Sequence, residues 1–98
     1  MPKAYWIAIY REIRKPEKMQ AYAAIAGPVL MAHGGRFLAR GMPSKIYDQA
    51  VNQRVVLIEF DSVEKAVAAH DSAAYQGALA VLGDGVERDL RIVEAVAP

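Results

Sequence analysis

Apolar and polar positions fall into blocks along this chain, and the period of each block predicts an element. Residues 4–10, Ala-Tyr-Trp-Ile-Ala-Ile-Tyr, are rich in aromatic and β-branched side chains and free of charge, which predicts a strand buried on both faces and central in its sheet. Residues 11–15 read as a charged connection. Pro16 suits the first turn of a helix, where its missing N–H has no intrahelical partner. Met19, Tyr22, Ala23, Ala26, Leu30 and His33 then recur at three- and four-residue spacing and predict a helix over 16–33. Gly27-Pro28 interrupts that stripe; proline removes a hydrogen bond and crowds the preceding turn, so a kink or a break is expected there. Gly34-Gly35 ends the helix through a left-handed cap.

Two strands follow, Arg36 to Gly41 and Arg54 to Phe60, separated by a polar segment over 42–53. Alternation puts Phe37 and Ala39 on one face and Val56, Ile58 and Phe60 on another, and joining these sets makes an apolar layer for the helices. The opposite layer then holds Arg36, Leu38, Arg40, Val55, Leu57 and Glu59, with Arg36 across from Glu59 if the strands form a hairpin. Asp61 or Ser62 caps a second helix with the stripe Val63, Ala66, Val67, His70, and Glu64 completes a capping-box spacing. Ser72 caps a further helical stretch over about 73–82, ended by Gly83, and residues 88–96 alternate as a final strand. The order strand, helix, strand, strand, helix, strand in one domain over 1–98 predicts an α+β, ferredoxin-like βαββαβ fold with an antiparallel sheet. The 42–53 segment is its one long loop, a length usually mobile or functional.

Composition narrows the function classes. The apolar share is 54%, above the roughly 45–50% of soluble domains, and the mixed layer is too apolar for water and too charged for a plain core. Both point to a second copy of the chain covering that face. Twelve basic against eleven acidic residues leave a net charge of +1, too little to draw in a nucleic-acid backbone or an anionic bilayer. The chain has no cysteine, which removes disulfides, thiolate metal sites and thiol nucleophiles. No stretch reaches the roughly 18 apolar residues of a membrane span, and no leader is apparent, so a cytoplasmic protein is expected.

Few residues carry chemistry. His33 and His70 are the only histidines and sit near helix ends, where the helix dipole alone favours them; no H-E-x-x-H or similar pairing accompanies them, and no metal or other cofactor is expected. Tyr5, Trp6, Tyr10, Tyr22, Tyr47 and Tyr75 suit a core and would also suit a planar apolar ligand. Ser44, Ser62 and Ser72 lack a nucleophile elbow, and Gly83-Asp84-Gly85 reads as a turn. RNA-recognition modules share the element order, but their third strand displays aromatics among basic residues, which Arg54 to Phe60 does not.

Taken together, Tyr5-Trp6-Ile7, Gly34-Gly35-Arg36-Phe37-Leu38 with Arg40-Gly41, Val55 to Phe60, Ser72 with Tyr75-Gln76, and Leu90 to Glu94 resemble the bacterial family DUF1330, a domain of unknown function in the dimeric α/β-barrel superfamily. The resemblance implies a ferredoxin-like protomer paired into a dimeric α/β barrel. Relatives by fold include cofactor-independent oxygenases of aromatic compounds, haem-degrading oxygenases, and isomerases or decarboxylases of small organic acids, an analogy that locates a site more than it names a function. The chain departs from the family pattern at Met42-Pro43, at Asp48-Gln49-Ala50, at Ala73-Ala74, at His70 where an aromatic is common, and at Leu82 where an arginine is common. The last departure argues against a clamp for an anionic substrate.

Two functions fit these residues. One is the binding or transformation of a small apolar or aromatic molecule, without a cofactor, in a pocket between helices and sheet. His70 or His33 would carry a proton, Arg40 and Arg36 would orient a carbonyl or carboxylate, Glu59 would tune them, and Tyr75 or Tyr22 would donate a hydrogen bond. The other is a non-catalytic homodimeric module whose charged face serves assembly alone. Whether the polar groups converge on a cavity or are consumed in pairs separates the two.

Overall fold

The computed structural model describes residues 2–97; Met1 and Pro98, the ends of the expected domain, lie outside it. β1 (Ala4–Ile13), α1 (Pro16–Ala32), β2 (Arg36–Gly41), β3 (Val55–Phe60), α2 (Val63–Asp71), α3 (Ala73–Leu82) and β4 (Val86–Glu94) follow in that order. The strands form one antiparallel sheet ordered β2-β3-β1-β4. This is the expected α+β, ferredoxin-like arrangement, with the second helical region divided at Ser72. There the backbone turns extended, and the Ser72 hydroxyl donates to the Ala69 carbonyl at 2.8 Å and accepts from the Tyr75 amide at 3.2 Å. One hydroxyl thus closes α2 and opens α3.

One face of the sheet holds the core. Ala4, Trp6, Ala8 and Tyr10 of β1 alternate with outward residues and meet Val56, Ile58 and Phe60 of β3. Against them lie Tyr22, Ala26 and Leu30 of α1, Ala66 and Ala69 of α2, and Tyr75, Ala78 and Leu82 of α3. Trp6 is the centre, with the Tyr75 ring edge-on at 5.2 Å and Phe60 at 6.1 Å between centroids, contacts worth roughly 0.5–1.5 kcal/mol per pair beyond the area they bury. Gly35 has to be glycine: a Cβ there would stand 2.8 Å from the Leu30 carbonyl oxygen and 2.9 Å from Phe60.

Several expectations need correcting. β1 does not end at Tyr10; it runs to Ile13, because the charges of the expected connection find opposite charges across the ladder, Arg11 on Asp89 and Arg14 on Glu87. Its outward face, with Ile9 37% exposed, is not covered by the described residues. α1 is not broken at Gly27-Pro28; with no Cβ, Gly27 spares the helix part of the clash that normally precedes proline. On α2 the buried pair is Ala66 and Ala69, while Val67 is exposed. β4 begins two residues earlier than expected and ends at Glu94.

The correction that matters for function lies in β2. Arg36 pairs with Glu59 and Phe37 with Ile58, but Ala39 pairs with Leu57 and Arg40 with Val56, so Leu38 is an extra residue in the ladder. Past such a bulge every side chain changes face. Ala39 therefore joins the outer layer, and Arg40, expected there, turns to the helix side beside the buried Val56.

Candidate functional site

The same alternation that builds the core delivers charge to one end of it. Arg54 lies in phase with Val56, Ile58 and Phe60, Arg88 in phase with Leu90 and Ile92, and Tyr10 in phase with Trp6 and Ala8. The bulge adds Arg40. α1 crosses above them with Met19, Tyr22 and Ala23, leaving a narrow cavity of about 40 Å³ whose wall includes Trp6, Tyr10, Tyr22, Phe37, Arg40, Arg54 and Arg88. Met19, Ala23 and Arg54 also border an open depression of about 490 Å³ that extends to Ile13, Met42 and Gln53.

Arg88 organises the blind end. Its Nη1 donates to the Tyr22 hydroxyl at 3.1 Å and to the Tyr10 hydroxyl at 3.3 Å, and its Nη2 donates to the Tyr75 hydroxyl at 3.0 Å. The guanidinium also stands 5.1 Å from the Tyr22 ring centre and 5.6 Å from that of Tyr10, within cation–π reach. Tyr22 and Tyr75 share a 2.7 Å hydrogen bond between their hydroxyls. Burial pushes the Tyr22 hydroxyl well above its ordinary 10.0, against the opposing pull of Arg88, and burial raises Tyr10 as well. Burial disfavours the Arg88 charge, but the surrounding phenol oxygens outweigh it and its pKa rises. At neutral pH Tyr10 and Tyr22 are therefore hydrogen-bond donors beside a permanent cation.

The accounting leaves donors spare. Each phenol oxygen accepts from Arg88, and only one phenol hydrogen is used, between Tyr22 and Tyr75; when Tyr75 supplies it, the Tyr10 and Tyr22 hydrogens are both free for the cavity. Arg54 Nε is buried with no hydrogen-bond partner among the described residues. Arg40 lies over the Phe37 ring at 4.9 Å, on the exposed side of the cavity. The wall holds cations and donors, with neither a carboxylate nor an imidazole among its described residues.

Of the residues singled out from sequence, the fold brings together Tyr22, Tyr75 and Arg40. His70 touches this group from outside: its ring is 5.2 Å from Tyr75 and 5.8 Å from Trp6, but it faces a separate depression with Val67 and Leu90, and its Nδ1 is 3.0 Å from Asp71. His33 caps α1 and its Nδ1 lies 3.0 Å from the Val29 carbonyl, away from the cavity. Glu59 and Arg36 pair at 3.0 Å on the other face of the sheet, where Tyr5 also donates to Glu59 and Asp61 shares Arg36. Glu59 is part-buried, its side chain 17% exposed. Arg54 and Arg88 were missed, although the period-two phase of their strands signalled both. Among the described residues no three His, Cys, Asp or Glu side chains are placed to hold a metal ion, and no helix is long and apolar enough to cross a membrane.

Comparison with known proteins agrees with the fold. The family model "Domain of unknown function (DUF1330)" matches residues 3–96, and the chain belongs to that family. No curated protein matches the sequence. Among solved structures, a protein of unknown function from Rhodopseudomonas palustris superposes with a TM-score of 0.79 at 18% identity, over 99% of this chain and 85% of that one. SnoaB, a cofactor-independent oxygenase from Streptomyces nogalater, gives 0.69 at 9% identity over 100% and 97%. A dimeric ferredoxin-like protein of unknown function from Thermobifida fusca gives 0.64 at 15% identity over 96% and 92%.

Proposed function

We propose that this member of DUF1330 binds a small, largely apolar or aromatic molecule, without a cofactor, across the cavity between α1 and the sheet and the depression that adjoins it at Met19, Ala23 and Arg54, and that it does so as a homodimer. The observation that carries the reading is the division of the cavity wall: Trp6, Phe37, Met19 and Leu30 offer apolar and aromatic surface, and the polar groups converge at one end on Arg88. Convergence of this kind on a mostly apolar hollow is the usual build of a ligand site. The wall supplies donors and no basic group that is free at neutral pH, so the residues favour holding and polarising a ligand over abstracting its proton. Within this reading Arg40 and Tyr22 contact the ligand and Tyr75 orients Tyr22. His70, outside the cavity, contributes through packing.

The homodimer rests on the uncovered sheet face. Ile7, Ile9, Val55 and Leu57 make its apolar centre, bounded by the Arg36–Glu59 cluster at one end and the Arg11–Asp89 pair at the other. An apolar patch with a charged rim is how a self-complementary interface is built, and the Thermobifida neighbour is described as dimeric. Assembly and ligand binding use opposite faces, so the two functions read from the sequence are compatible.

The chain's single tryptophan, Trp6, lines the cavity, which makes its fluorescence a direct reporter. Titration with small aromatic compounds should quench or shift it saturably, and Ala23→Phe, which places a ring at the cavity wall, should abolish the response. Failure of the whole panel, or an unchanged response in Ala23→Phe, refutes the site. Light scattering that shows only a 10.7 kDa monomer at micromolar concentration refutes the dimer.

A further inference from the structure

We infer that the ligand of this cavity carries a carboxylate, held by Arg54 and by the Tyr10 and Tyr22 hydroxyls that Arg88 orients. The inference rests on the reading that the cavity is a ligand site, and it adds the ligand's chemical class. It also revises the sequence-based expectation that the loss of an arginine at Leu82 removes an anion clamp: arginines from other strands stand in the cavity instead.

The charge inventory of the chain supports it. Among the described residues, every lysine and arginine other than Arg40, Lys45, Arg54 and Arg88 has a carboxylate within 4.0 Å. Three of these four line the one cavity. Arg40 stands at the exposed side, but Arg54 and Arg88 are part-buried, and grouping cations there costs stability unless an anion joins them. Arg54 sharpens the point, because its Nε is buried and unpartnered. A guanidinium offers parallel N–H groups that match a planar carboxylate, and the phenol O–H groups beside it can only donate to such an oxygen while they remain neutral.

Size assigns the parts of the ligand. A volume of about 40 Å³ admits a few waters or a carboxylate, since one water occupies roughly 10–15 Å³ on this measure, and it excludes an aromatic ring. The apolar body must therefore extend past Met19 and Ala23 into the 490 Å³ depression toward Met42 and Gln53. The class is a monocarboxylic acid with a small apolar body.

The test compares benzoate and phenylacetate with benzamide and phenylacetamide, and with inorganic phosphate, at constant ionic strength, by Trp6 fluorescence and calorimetry. The carboxylates should bind at least tenfold more tightly than their amides, Arg54→Met should erase the preference, and Tyr10→Phe should reduce it. Equal binding of acids and amides overturns the carboxylate inference and leaves the ligand site standing. Phosphate binding more tightly than either acid overturns the planar-anion assignment. Absence of binding by every probe, acid and amide alike, overturns both the inference and the site.

Discussion

Replacing Arg54 by methionine is expected to stabilise the ligand-free protein, the reverse of what a structural arginine would show. The side chain is part of the cavity wall, its Nε is buried without a partner, and it has no carboxylate within salt-bridge distance among the described residues. A buried polar group left unpaired costs about 1–3 kcal/mol. Methionine keeps an apolar stem of similar reach against Met19 and Ala23, so little packing is lost, and removing one of three neighbouring cations relieves repulsion from Arg40 and Arg88. The backbone carbonyl of Arg54, which accepts from the Tyr10 amide at 3.0 Å, is untouched. The lower end of that range, about 1 kcal/mol, corresponds to roughly 4–8 °C in Tm for a domain of this size. Urea unfolding should show a higher midpoint with an unchanged slope, the signature of altered stability alone. A lower midpoint would refute the reasoning, because it would mean that Arg54 is satisfied in solution and belongs to the scaffold.

Arg88→Met should act in the opposite direction: it strips the shared donor from Tyr10, Tyr22 and Tyr75, a loss of about 1.5–3 kcal/mol for hydrogen bonds to a charged group, read in the same urea experiment. Stability should also fall in alkali. Tyr22 and Tyr10 have folded pKa values raised above the 10.0 of the exposed phenol, so the fold holds protons that the unfolded chain releases; their contribution is complete below about pH 10 and is lost as pH rises toward the folded values. Ultraviolet titration should therefore show these tyrosines ionising only as the fold opens, and early ionisation of every tyrosine would contradict their burial.

Much of this architecture was legible in the sequence because it follows from side-chain period and from capping. Trp6 at the centre of the core, Ser72 between two helical stretches and Arg36 opposite Glu59 each follow from local pattern and chain order. The site was harder to read for a physical reason. An arginine at the first position of a strand, as Arg54 and Arg88 are in the sequence pattern, carries no sign of burial, and only the helix crossing above turns an in-phase cation into a cavity wall. Arg40 was unreadable in a different way, since a bulge is a property of the hydrogen-bonded ladder and Leu38 carries no glycine or proline to announce it. The histidines drew attention by their rarity, which is no guide to where a helix end will point them.

The extra residue at Leu38 has a genetic corollary. Upstream of it, β2 sends Arg36 to the outer face of the sheet; downstream, the same strand sends Arg40 to the helix side. Loss of the Leu38 codon would restore regular pairing with Ala39 still opposite Leu57 and Arg40 still opposite Val56, so every remaining side chain would keep its face. The deletion would remove one exposed leucine and leave the wall that holds Arg40 in place. Length variation at this point of β2 is therefore a milder change for such a domain than substitution of any one wall residue.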